Sequence, residues 1–504
     1  MVQYLYHCRS FSSSLPSPTY RMGGGFHILS KQFGNISEMS SAALTVSLST
    51  AQASCVTSFV DFLNAAVTPF HAVATIAGML RQAGYEQLAE PLGWSSAALA
   101  PGQKAFVIRN DSSIVAFAVG GKYTTGNGFK IIGAHTDSPN LQLKPKSHSV
   151  RGKYMGVGVQ LYGGGLWHTW FDRDLTVAGR LVLHRAGATH VSSTLVNLKR
   201  PILRIPTLAI HLASTDERDK FAPNKETHIA PIIATQLAAQ LNGKEQPQNG
   251  QNSTLLHLLA DAAGVTTEEI SDFDLSVIDT QPSCVGGAYG EFVFSPRLDN
   301  LISCFAAVTA LINETSTLND DSKIRMVGLF DHEEVGSSSP HGAAGTLIPD
   351  IVDRFHTGEA SSLRPVATAN SFFLSVDGGH AVHPNYPEKH EAEHRPMLHY
   401  GPVIKYNANV RYATNGMSGA IVKALAVRSG VPIQQFCVKN DAGCGSTIGP
   451  ILSTLTGIVS ADIGNPMLSM HSIREMCGTI DVCHLVQLLR TFWTDYDLVA
   501  QSDR

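Results

Sequence analysis

The stretch KIRMVGLFDHEEVGS, Lys323–Ser337, sets the reading of the fold. Lys323–Phe330 is a largely apolar run of strand length. It ends abruptly in Asp331, His332, Glu333 and Glu334. A strand without a polar face belongs in a sheet covered on both sides. Acids at its carboxyl end fall where open α/β sheets build their sites. The paired glutamates sharpen the point. On an extended backbone, neighbours point to opposite faces. Two carboxylates kept near one place also repel unless a cation separates them.

The surrounding texture agrees. LDNLISCFAAVTALI reads as a helix, SFFLSVD as a strand, MSGAIVKALAVRSG as a helix, PIQQFCVK as a strand and DVCHLVQLLRTFWTDYDLVAQ as a closing helix. Before the opening stretch, residues 55–84 carry a helical pattern, with Phe59, Phe62 and Leu63 at i, i+3 and i+4. KAFVIRN, SIVAFAVG and FKIIGAHTD read as three strands. Alternating strands and helices predict an α/β fold, a mostly parallel sheet sandwiched by helices. Between about 140 and 210 the texture is β-rich, in VGVQLYGGGLW, LTVAGRLVLH and TLVNLKRPILRIPTLAIHL. NGKEQPQNGQNS (242–253) is a low-complexity surface loop. The predicted organisation is a leader over 1–38, an α/β domain over 39–139 and 292–504, and an inserted β-rich domain over 140–291.

Bulk properties exclude several classes. With 504 residues, 43% hydrophobic and 15% charged, the chain reads as a multi-domain globular protein. A net charge of -4 and no basic block argue against nucleic acid or an anionic membrane as partner. No apolar run has membrane-span length. The eight cysteines form no C-x-x-C pair and read as reduced thiols of a reducing compartment such as the cytoplasm. The first 37 residues lack Asp and Glu and hold a serine cluster. They read either as a transit peptide, which would place the protein in a chloroplast or mitochondrion, or as a leader before Met22 or Met39.

Polar residues recur at predicted strand ends: His135 and Asp137, Glu333 and Glu334, Asp377, with Asp299 opening a helix and His471 late in the chain. Singly, each reads equally as a loop residue, turn former or helix cap. Together they bring many anions to one sheet edge, which needs cations. Imidazole and carboxylate without thiolate suit zinc, cobalt or manganese. Asp137, two residues after His135, is placed to accept the other ring N–H of that histidine, or to cap a turn. His-Glu-X-X-His, an EF-hand loop, G-x-S-x-G and a Walker loop are all absent.

These residues lie in segments that closely resemble the aspartyl aminopeptidase family of dinuclear zinc metallopeptidases. The segments are TPFHAV (68–73), GAHTDSPNLQLKP (133–145), YGGGLWHTWFDRDLTVAGR (162–180), SPRLDNL (295–301), FDHEEVGS (330–337), DGGHAVHPNY (377–386), IKYNANVRYAT (404–414), CGSTIGP (444–450) and MHSIREM (470–476). The resemblance runs from about residue 55 to the C-terminus. It implies two zinc ions per subunit, with manganese or cobalt as substitutes. Asp299 would bridge them, His135 and Asp377 would complete one site, and Glu334 and His471 the other. Glu333 would be general base toward a bridging water, with Asp137 also in the catalytic set. His168, His380, Lys405 and Tyr412 would contact substrate alongside Glu333 and Asp377, with Lys405 facing an acidic side chain. His168 would come from a neighbouring subunit. The Gly-Gly pair of DGGH, between Asp377 and His380, is a local departure beside a ligand.

The implied activity is removal of N-terminal Asp or Glu from peptides, by a homo-dodecamer whose β-rich insert serves dimerisation. Alternatives are a broader, Leu-type aminopeptidase of the same family, or an inactive scaffold on this fold.

Overall fold

Residues 48–500, except 186 and 245, are described by the computed structural model. The expected leader over 1–38 lies outside them.

The opening stretch forms the strand Ile324–Phe330, buried along its whole length. It pairs in parallel with Phe129–His135, which pairs in parallel with Phe372–Val376, itself parallel to Val459–Gly464. These four are the centre of a nine-stranded sheet. Its flanks are mixed. Ser113–Val119 runs antiparallel to Ile324–Phe330, and Val403–Tyr406 antiparallel to Val459–Gly464. Neither antiparallel pair is a hairpin, since each joins strands far apart in the chain.

Side chains alternate between two cores. In Phe129–His135, Ile132 and Ala134 face one and Phe129 and Ile131 the other. Helices Thr50–Ala65, Pro69–Gln82, Leu298–Asn313, Gly416–Ser429 and Thr479–Val499 fill the first. Leu347–Arg354, Arg364–Ala369 and Ile448–Thr456 fill the second. The helical pattern over 55–84 resolves into two helices, because Thr68 caps the second and Pro69 stands in its first turn. Arg325, the one cation of the opening strand, is tolerated because Asp321 holds it at 2.7 Å and also holds Lys130 at 3.0 Å.

Residues 140–279 build a separate six-stranded sheet around Leu141, Val177, Leu181 and Val277, with helix Ser253–Ala263 packed against it. The expected β texture stops at Asn197. Over 198–212 only isolated bridges at Leu203 and Arg204 remain. Pro201 and Pro206 deny that segment regular ladder donors. A third sheet, of five short strands, contains Gly379–His380 and Glu475–Gly478 and lies next to the candidate site in sequence. Among the described residues, no helix is long and apolar enough to cross a membrane.

Candidate metal centre

Two neighbouring parallel strands deliver the first candidate ligating groups. His135 is the last residue of Phe129–His135, and Asp377 follows Phe372–Val376 directly. Gly464, on the neighbouring strand, is obligatory here: a Cβ would lie 1.5 Å from the Asp377 carbonyl oxygen.

Glu333 and Glu334 arrive differently from the expectation of an extended backbone. The strand ends at Phe330, His332 turns into the left-handed region at φ 64°, and Glu333–Val335 is a 3-10 turn. Asp137 causes this. Its carboxylate accepts the Glu333 N–H at 3.1 Å and the Glu334 N–H at 3.0 Å. Tyr162 donates its hydroxyl to the same group at 2.6 Å. Both capping and histidine orientation therefore meet at residue 137. The His135 Nδ1 partner, however, is the Asp137 backbone carbonyl at 3.1 Å, with the carboxylate further off at 3.4 Å.

Asp299 was expected as a first-turn helical residue. Its ψ of 106° is not helical, and regular helix begins after Asn300. This frees its carboxylate to lie between two imidazoles. His135 Nε2 is 3.3 Å from Oδ1 and His471 Nε2 is 3.2 Å from Oδ2. His135 Nε2 is also 3.6 Å from Asp377 Oδ1 and 4.0 Å from Glu333 Oε2. His471 Nε2 is 3.3 Å from Glu334 Oε2. The His471 Nδ1 meets the Gly164 carbonyl at 3.0 Å, so each ring presents Nε2 to the carboxylates.

Two residues of this site, Glu475 and Tyr162, are not marked by the sequence reading. Glu475 is buried, and its two oxygens accept the His471 N–H at 2.8 Å and the Asp299 N–H at 3.0 Å. An acid four residues after the candidate ligand His471, in MHSIRE, is the available signal. For Tyr162, its place beside the glycine run YGGG is the only cue the sequence offers.

The electrostatics record crowded anions. Burial lifts Glu333 to about 8, with Asp377, Glu334 and Asp299 adding to the effect. Burial likewise lifts Glu334 to about 7 and Glu475 to about 8. Burial opposes charge on His471, yet Asp299 and Glu334 raise it to about 11. Burial also works against the Asp299 anion, but His135 and His471 hold its carboxyl far below the ordinary range.

These residues fit metal cations. Ligand atoms of His135, Asp299 and Asp377 cluster, as do those of Asp299, Glu334 and His471, so Asp299 belongs to both groups. Asp299 Oδ1 and Glu334 Oε1 are buried without a hydrogen-bond partner. Such atoms are costly unless something positive takes them. The donors are nitrogen and oxygen, the set zinc accepts at catalytic sites.

The cluster floors a cleft of about 400 Å³ that also holds His380, Lys405 and Tyr412. Lys405 is buried at 3% exposure, not solvated. Its Nζ is 3.9 Å from Asp377 Oδ2 and 5.4 Å from the centre of the Tyr412 ring. His380 is exposed, its ring 5.8 Å from that of Phe436. Of the Gly-Gly pair, Gly378 leaves room for Met467 and Met470, whose methyl carbons a Cβ would meet at 2.8 and 2.9 Å. His168 is exposed on the turn Trp167–Trp170 and is not among the residues lining the cleft of its own chain.

Comparison with known proteins bears on this geometry. A family model described as aminopeptidase I zinc metalloprotease (M18) matches residues 62–493. The aspartyl aminopeptidase of Dictyostelium discoideum is 46% identical over 467 residues, covering 87% of this chain and 96% of its own. A cryo-EM structure of the Ape4 and Nbr1 complex superposes with a TM-score of 0.87 at 43% identity, over 90% of this chain and 88% of that one. The Saccharomyces cerevisiae mApe1 dodecamer superposes at 0.76 with 30% identity, over 88% and 97%.

Proposed function

The chain belongs to the aminopeptidase I zinc metalloprotease (M18) family, and from that premise we propose an aminopeptidase with a dinuclear zinc site that prefers acidic N-terminal residues. The observation that carries the reading is Asp299, whose two oxygens face two imidazoles at 3.3 and 3.2 Å. His135, Asp377 and one Asp299 oxygen would hold one zinc; Glu334, His471 and the other oxygen would hold the second. Bound zinc supplies Lewis acidity, which lowers the pKa of water and polarises a carbonyl.

The remaining steps belong to the protein. Glu333 takes the proton of the attacking water and returns it to the leaving amine. Asp137 holds the turn that aims Glu333, and Glu475 holds the backbones of Asp299 and His471. Tyr412 and His380 line the cleft where a substrate would lie.

Lys405 offers a buried cation to an acidic side chain at the N-terminal position, and a charge-assisted bond there selects carboxylate. The name of the Dictyostelium relative, aspartyl aminopeptidase, supports this preference. The test compares Asp-, Glu- and Leu-anilide hydrolysis by wild type and Lys405→Met. We expect the acidic substrates to lose at least about tenfold in kcat/KM and Leu to change little. Because Lys405 also neighbours Asp377, a second reading gives it charge balance alone. Equal losses on all three substrates would establish that reading and remove the specificity claim.

The mApe1 dodecamer supports a homo-dodecamer here. The β-rich insert would serve dimerisation and bring His168 into a neighbour's cleft. Leu208, Ile210 and Leu212, at 52, 63 and 74% exposure, suit such burial. A cytoplasmic location accords with the free state of the seven described cysteines.

A further inference from the structure

The first and last described helices, Thr50–Ala65 and Thr479–Val499, pack side by side. Phe59 and Phe62 anchor the first through Phe305, at 5.2 and 5.7 Å between ring centres. Toward the solvent edge of this seam the packing changes from rings to thiols. Cys55, on the first helix, and Cys483, on the last, come together across it in one groove. Cys483 Sγ also lies 3.7 Å from the carbonyl oxygen of Gln52, one turn before Cys55. Both thiols are half-buried and open into one surface groove with Met79, Val486 and Arg490. A small oxidant can therefore reach them. The contrast is with Cys304 and Cys477, fully enclosed and kept as neutral thiols by burial.

The two thiols are not equivalent. The Cys483 S–H favours the thiolate of Cys55, which lies below its ordinary value, while Cys483 is raised. That direction suits Cys55 to attack and Cys483 to resolve.

We propose that Cys55 and Cys483 form a peroxide-reactive dithiol that closes into a disulfide joining the first and last helices of the described chain. In the first step the Cys55 thiolate attacks hydrogen peroxide. An S–O bond forms, the O–O bond breaks and hydroxide leaves, giving Cys55 sulfenic acid. In the second step the Cys483 sulfur attacks that sulfenic sulfur. An S–S bond forms, the S–O bond breaks, and the departing hydroxyl takes the Cys483 proton as water. The thiols lose two electrons and the peroxide gains them. The inference does not rest on the hydrolytic reading, since neither cysteine lines the catalytic cleft.

The test uses full-length, zinc-loaded protein treated with graded hydrogen peroxide and then alkylated. Non-reducing peptide mass spectrometry should find Cys55 and Cys483 in one linked species, two hydrogens lighter than the separate peptides and lost on reduction. The thermal midpoint should rise by about 3 °C, because the link closes a loop over nearly the whole chain. Cys483→Ser should stop at the sulfenic acid and label at Cys55 with dimedone, whereas Cys55→Ser should leave Cys483 unoxidised. The proposal fails if wild type keeps both thiols at peroxide doses that oxidise another cysteine of the folded protein. It also fails if either cysteine is recovered linked to a different partner. Wild-type mapping decides this even if a serine variant folds poorly.

Discussion

Single residues explain why the site has two adjacent glutamates. Glu334 Oε2 lies 3.3 Å from the His471 ring, and its other oxygen is buried without a partner. Glu333 is held at 4.0 Å from the His135 ring and opens to the cleft. Their roles should separate on substitution. Glu333→Gln should keep zinc, measured by elemental analysis, and lose about 10²–10⁴-fold in kcat. Glu334→Gln should lose zinc as well; equal retention in both variants would reverse the assignment. Protons add a second expectation. In the metal-free site Glu334 titrates at about 7 and His471 at about 11. Both are raised above their ordinary values, so both hold protons that zinc must displace. Apparent zinc affinity should therefore rise as pH rises from about 6 to 8, with protons released at pH 7. Calorimetric titration in two buffers of different ionisation enthalpy measures that release. Binding independent of pH would exclude these groups as ligands.

At the scale of elements, the site depends on two buried carboxylates that need not touch substrate. Asp137 gathers the N–H groups of Glu333 and Glu334, and Glu475 those of Asp299 and His471. Each joins segments from distant parts of the chain, and each uses both oxygens. An amide would offer only one acceptor and turn N–H toward N–H at the other. Asp137→Asn should therefore lower kcat about 10–100-fold with KM little changed, a loss typical of partners that orient functional groups. Tyr162→Phe should cost less, since two backbone donors remain. A purely structural role would instead lower the thermal midpoint while leaving kcat of the folded fraction intact. The turn itself was not legible in FDHEEV. Hydrophobic periodicity marks where the strand Ile324–Phe330 runs, but its exit is set by an acid nearly two hundred residues earlier in the chain.

The whole molecule raises a question one chain cannot answer by itself. His168 stands exposed between the buried rings of Trp167 and Trp170 and does not line the candidate metal cleft of its own chain. If a neighbour's cleft receives it, two inactive variants should rescue each other. Co-refolded His168→Ala and Glu333→Gln subunits should regain about a quarter of wild-type activity, because half the dimers are mixed and one of their two sites is intact. Mixtures that stay as inactive as the separate variants would return His168 to a structural place among the tryptophans.

The sequence by itself determined the α/β class, three of the four strands at the sheet centre, with Val459–Gly464 left unread, and the residue types of the candidate metal centre. Those follow from local patterns: apolar runs of strand length, helical spacing, and carboxylates and imidazoles that no buried core would accept unneutralised. Family motifs then supplied the roles. The tertiary structure alone decided how those groups meet. It replaced an extended Glu333–Glu334 pair by a tight turn, took Asp299 out of its helix, buried Lys405 and brought Glu475 beneath both Asp299 and His471. The physical reason is common to all four. Each depends on a hydrogen bond, an ion pair or a burial between segments far apart in the chain, and no periodicity records a partner at that distance.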